Sequence, residues 1–246
     1  MAELEVKKHL KKIIGVIKLP NNGGWLKKLG AIAVEVAIIV FSLVLANALH
    51  NYSLRKHQEE ECKIFLQGLK EDLKADISTL KENILFYKEA DSSYRYLNNL
   101  PSISELDKGR LNYSLSGINI SCSFRPHSSR YEGFKSSGKL LQIEDQKLLY
   151  NILLLYQEKI QNLGLSENAW LSSHNRLMNY LMEETDIDIN NIETAVAHKI
   201  FNQRKVKNYT SVLIPWDQLL ERYQEVLTLE QTIIKQINQH YPENDK

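Results

Sequence analysis

The sequence predicts a mainly α protein in which one N-terminal transmembrane helix continues into an extracytoplasmic antiparallel helical bundle. Three observations predict it. From Leu29 to Leu49 the chain runs 21 residues with Glu35 as its single charge, and about 20 apolar residues at 1.5 Å each cross a bilayer's hydrocarbon core. Farther on, Leu66, Leu69, Leu73, Ile77, Leu80, Ile84 and Tyr87 recur at steps of three and four, one apolar stripe on a helix. No stretch alternates apolar and polar residues for long enough to build a sheet.

Residues 1–28 hold seven lysines and two glutamates, a net charge of +5, while the remaining chain has 24 basic and 28 acidic residues. Basicity confined to one end excludes a nucleic-acid surface, which spreads Lys and Arg over a folded face. Within "EVKKHLKKIIGVIKL", Val6, Leu10, Ile13, Ile14 and Ile17 share one helical face. Such a segment can lie on an anionic leaflet; an ordinary charged flank is the other reading. Pro20, Asn21, Asn22, Gly23 and Gly24 break the pattern, and Trp25 stands where an interfacial anchor belongs. The span follows at 29–50, with Tyr52 as the anchor at its far end. A cleaved signal peptide competes, but the run is long for an h-region and "LANALHN" is a weak cleavage site. Lysines crowd the amino side, so the positive-inside rule puts the N-terminus in the cytoplasm and the large C-terminal part across the membrane.

Residues 51–100 read as a long juxtamembrane helix with Gly68 its one weak point. Its stripe packs either on later helices or, coiled-coil fashion, on the same helix of a neighbour. Residues 101–128 are rich in Ser, Asn, Gly and Pro and read as a long loop with a short strand at "NISCSF". The remainder, 129–246, reads as the helical domain: "RYEGFKSSG" closed by Gly138, a long helix opening at "EDQ" and continuing through "WLSSHNRLMNYLMEE", a short one at "IETAVAHKIFNQ", and a last one from "WDQLL".

No recognisable catalytic motif is present, which points away from an enzyme, and no cofactor is implied: there is no phosphate-binding glycine loop, His-Glu-x-x-His or Cys-x-x-Cys. Asp186, Asp188 and Asn190 begin like a calcium loop, yet Asn191 replaces the turn glycine and Ala197 the bidentate Glu. Ser136 and Lys139 have the spacing of a nucleophile pair, but a helix cap at Gly138 explains "SSGK" better. His174 and His198 read as hydrogen-bonded packing residues. Cys62 and Cys122, the only cysteines, leave two readings open: a bridge tying the loop to the long helix, or a buried Cys62 beside the stripe and a free Cys122.

In one block Glu35 is followed by Ala46 eleven residues on, then by Asn51 and Tyr52 before a charged helix. In a second, Tyr131, Lys135, Ser136, Ser137, Gly138, Lys139 and Leu140 precede a Leu-rich helix. The chain resembles, in these blocks, a family of bacterial single-span inner-membrane proteins known as domain of unknown function 6090. It departs from the family pattern at Val34 for Gly, His50 for Asn and Tyr52 for Trp. The resemblance implies a bacterial inner-membrane location with a periplasmic domain, and no activity.

Glu35 lies about six residues into the span, roughly 9 Å deep, where a carboxyl needs a partner or a proton. Lys28, Ala31, Glu35, Ser42 and Ala46 fall near one line of the helix, with Ser42 and Ala46 a small-x-x-x-small pair. One reading makes this line an oligomer seam in a structural or interaction module that self-associates or holds a membrane-protein partner. The alternative is an ion-motive-force coupling or sensing subunit in which Glu35 titrates. A third reading has Glu35 reach the headgroups and set helix depth.

Overall fold

The structure is a computed structural model that describes residues 25–184, 192–214 and 217–241, with Lys8 and Lys11 as isolated positions. The amphipathic segment and the calcium-like Asp186, Asp188 and Asn190 lie outside the described residues, as do the side chains of Trp25 and Lys28. Every regular element among the described residues is helical: α1 Trp25–Asn98, a 3-10 turn Ile103–Glu105, α2 Lys108–Ile118, α3 Ser129–Ser136, a second 3-10 turn Lys139–Gln142, α4 Gln146–Leu154, a π-helical turn Leu155–Lys159, α5 Ile160–Glu184, α6 Thr194–Phe201, α7 Arg204–Leu213 and α8 Asp217–His240. The chain divides into two compact units, Met1–Glu61 and Cys62–Lys246.

In the first unit the described chain is α1 from Trp25 to Glu61. Its large apolar side chains stand in the open: Val34, Phe41, Val44 and Leu49 are each at least 60% exposed. Among the described residues one helix, α1, is long and apolar enough to cross a membrane. Exposure continues through the charged residues 51–60.

In the second unit α1 turns a stripe inward, and the stripe differs from the one expected. One line of buried positions runs Cys62, Leu66, Leu69, Leu73, Asp76, Leu80, Asn83, Tyr87, Ala90, Tyr94 and Leu97, with Phe65, Lys70 and Ser93 buried beside it. Steps along the line alternate four and three throughout, the spacing of a heptad. Ile77 and Ile84, expected on the stripe, are only partly buried, and Asp76 and Asn83 occupy the core positions beside them. The stripe packs on later helices of the same chain: Tyr87 meets the rings of Trp170 and Tyr223 at 5.2 and 5.5 Å.

Helix α8 presents the same rhythm with Leu219, Tyr223, Val226, Glu230, Ile233 and Ile237. Cross-links between helices fix their directions. Asn83 donates to Tyr223 and Gln67 to the carbonyl of Tyr241, so α8 descends as α1 rises. Asn151 pairs with Gln236 and Lys159 with Glu225, so α8 also opposes α4–α5. Helices α1 and α5 therefore run parallel to each other, each antiparallel to α8. Two parallel helices need a return connection, and residues 99–145 supply it.

That return corrects the expected loop. Helix α2 forms because Asp107 caps it, accepting from the Arg110 amide at 3.1 Å, and because Leu111, Leu115 and Ile118 bury one face. "NISCSF" forms no strand; residues 120–128 run without regular structure. Helix α7 was also unforeseen; Val206, Thr210 and Leu213 form its buried face. The other helices are as expected. Asp145 caps α4 through the Lys147 and Leu148 amides, and Gly138 takes φ +74° just after α3, a conformation that favours glycine. The π turn places the adjacent Leu155 and Tyr156 both in the core ahead of Ile160.

Candidate functional site

The return chain from α2 into α3 lies along the bundle as a strap, residues 119–128, and polar side chains at core positions hold it. Backbone groups outside helices still require partners. Tyr87 Oη donates to the Cys122 carbonyl at 3.1 Å. The Phe124 amide donates to Glu167 Oε1 at 2.9 Å. The His127 amide donates to both oxygens of Asp76 at 3.1 Å, and His127 Nδ1 lies 2.5 Å from Asp76 Oδ1. Tyr87 and Asp76 are eleven residues apart on α1, roughly 16 Å of helix, and the five residues from Cys122 to His127 cover roughly the same length when extended. The strap is matched in length to the helix it follows.

Each anchor is buried. Glu167 also accepts from the hydroxyl of Tyr223, which in turn accepts from Asn83 Nδ2. Burial pushes the Glu167 carboxyl up, and the Tyr223 and Phe124 bonds hold it down. At the upper end of the strap His174 sits 2.8 Å from the Ile118 carbonyl and stacks on Trp170. His198 Nε2 meets the Pro101 carbonyl at 2.9 Å. Both histidines are thus packing residues. Below the strap Arg130 Nε reaches Asp72 at 2.9 Å by lying across Gly68. A Cβ at Gly68 would fall 2.4 Å from the guanidinium, so the weak point of the helix is the bed for this arginine.

A second polar cluster lies deeper. Glu230 is fully buried and both its oxygens lack a hydrogen-bond partner; so does the buried hydroxyl of Tyr156, on the π turn. Burial pushes the Glu230 carboxyl up to about 9, and the negative charge of Asp76 adds to it. The ring of Tyr156 stacks on Tyr131 at 4.1 Å. Among the described residues no three His, Cys, Asp or Glu side chains come together as a metal site.

The residues singled out from the sequence are placed differently. Ala31, Ser42, Ala46 and Tyr52 are exposed on α1 and Glu35 is half-exposed. Ser42 Oγ donates to the Ile38 carbonyl at 2.7 Å, which leaves its lone pairs open to a donor. Cys62 and Cys122 are free thiols; no bridge joins them. Burial raises the Cys62 thiol to about 11, with a side-chain hydrogen bond to Tyr241 opposing it. Tyr87, engaged with the Cys122 carbonyl, fixes that segment without a covalent link. Asp76, Glu167 and Glu230 escaped the sequence reading, although each interrupts a 3-4 apolar rhythm with a carboxylate.

The described residues define a class: a mainly helical module with one helix long and apolar enough to cross a membrane and a bundle whose core carries carboxylates. The Family of unknown function (DUF6090) matches residues 35–173, and the chain belongs to it. The match spans α1 from Glu35 through most of α5, and so includes Asp76, the strap and Glu167; Tyr223 and Glu230 lie beyond it. No curated protein and no solved structure matches the chain.

Proposed function

We propose that this chain is a membrane-anchored interaction module: α1 crosses a bilayer with its N-terminus in the cytoplasm, and the helical bundle lies outside, where it serves self-association or the holding of a membrane-protein partner. One observation carries the reading. The same helix that buries every core position from Cys62 onward leaves Val34, Val40, Phe41, Val44 and Leu49 uncovered, and water does not tolerate so long an apolar face unless lipid or protein covers it. The lysine asymmetry of residues 1–28 supports the orientation.

Two measurements test it. A phosphatase fused after Lys246 is expected to be active outside the inner membrane; an inactive phosphatase together with a fluorescent cytoplasmic reporter at the same position would reverse the topology. Single cysteines replacing Ser42 and Ala46 are expected to crosslink between chains through the line of Lys28, Ala31, Glu35, Ser42 and Ala46. A cysteine replacing Val44 is expected not to, although all three positions are exposed within one chain. Equal crosslinking at the three removes the seam.

A further inference from the structure

We propose that Asp76 and His127 form a proton-binding site that locks the 119–128 strap onto the bundle, so that docking of the strap responds to the acidity of its compartment. The geometry starts at Asp76. Its carboxylate has no access to solvent, and the bonds assigned to it all come from one residue of the strap. The partner imidazole is 57% exposed. A proton on Nδ1 therefore bridges a buried anion and a ring that exchanges with water through its other nitrogen. A neutral ring can hold this contact only with its single N–H, whereas a protonated ring adds a charge opposite a desolvated carboxylate.

The titratable groups whose charge acts on the site come from several elements. From α1 come Asp72 and Asp76, from the π turn Tyr156, from α3 Tyr131 and Arg130, and from α8 Glu230. Arg130 is engaged with Asp72. Glu230, without a hydrogen-bond partner for either oxygen, is tolerated in this core only as the neutral acid. Balance is thus struck with protons. The hydrogen bond to Asp76, and next its charge, raise the imidazole above its ordinary value. Burial raises the Asp76 carboxyl against the pull of His127. Both directions mean that the pair holds a proton more tightly when the strap is docked. Docking is thus favoured below the ordinary imidazole pKa and lost as pH rises through the raised one. This inference does not depend on whether α1 crosses a bilayer.

The test is amide hydrogen exchange of Phe124 and His127 in the full chain in detergent, corrected for intrinsic exchange, from about pH 5.5 to about pH 10. Protection of the strap relative to α5 amides is expected to be highest at the acid end. It should fall by up to about tenfold per pH unit as the single proton leaves. His127→Gln, which keeps a hydrogen-bonding side chain, should abolish this fall while the α5 amides remain protected; His127→Asn serves if Gln disturbs the fold. Glu230→Gln should keep this fall, because the proton at issue is the one between Asp76 and His127. Strap protection that does not change with pH in the native chain, or that changes equally in the His127 variants, overturns the proposal.

Discussion

Glu230→Gln is expected to stabilise the protein at alkaline pH and to flatten its pH dependence. The carboxyl ionises at 4.5 in the ordinary case and at about 9 in the fold. Between those values the folded chain holds a proton that the unfolded chain has released. Stability from this residue is therefore complete below 4.5 and falls by about 1.4 kcal/mol per pH unit until the folded group itself ionises. Glutamine has nearly the same shape and no proton to lose. Its amide remains without partners at a cost similar to that of the neutral acid, so the net gain near pH 8 is about 2–4 kcal/mol. Denaturant unfolding of the full chain in detergent across this pH range measures it. An unchanged slope in the variant would show that Glu230 is not buried as a neutral acid.

Glu167→Ala acts in the opposite direction and through geometry. The carboxylate, 3% exposed, holds the Phe124 amide and the hydroxyl of Tyr223, and Tyr223 holds Asn83. Its removal leaves an amide and a hydroxyl without their acceptor inside the bundle and opens a cavity beside Trp170 and Tyr223. The expected cost is about 3–5 kcal/mol. Glu167→Gln keeps one carbonyl oxygen for the strap amide and should lose less than half as much. Unfolding midpoints of the two variants decide the matter; an alanine variant within about 1 kcal/mol of the native chain would mean that the strap is not anchored there.

How much of this was legible depended on whether the signal was local. The uncovered apolar run, the Asp145 cap and the Gly138 turn each declare themselves within a few residues, and the corresponding elements lie where expected. The stripe of α1 was located, but its phase was read from apolar residues alone. Ile77 and Ile84 were chosen, when the 3-4 rhythm of the true core passes through Asp76 and Asn83. A polar residue at a core position reads as surface until its partner is known. Those partners are His127, 51 residues away, and Tyr223, 140 residues away. Helix α2 was hidden by composition: Ser, Asn and Gly masked Leu111, Leu115 and Ile118 at helical spacing behind an Asp cap. The strap has no local signature, because its order is imposed by side chains of α1 and α5. Residues 185–191 and most of 1–24 lie outside the described residues, so the readings made there stand apart from this comparison.

The descent of α8 along α1 also sets an order of events during synthesis. The last helix supplies contacts to the start of the bundle: Gln67 donates to the carbonyl of Tyr241 across 174 residues of chain, and Cys62 bonds to the Tyr241 side chain. At the usual 5 to 20 residues per second, roughly 10 to 35 s separate the emergence of these partners from the ribosome. Throughout that interval Leu66, Leu69 and Leu73 have no α8 to close over them. A nascent chain of this protein therefore displays a regularly spaced leucine face that residues 217–241 complete, and a chain stopped before Tyr223 would keep that face open.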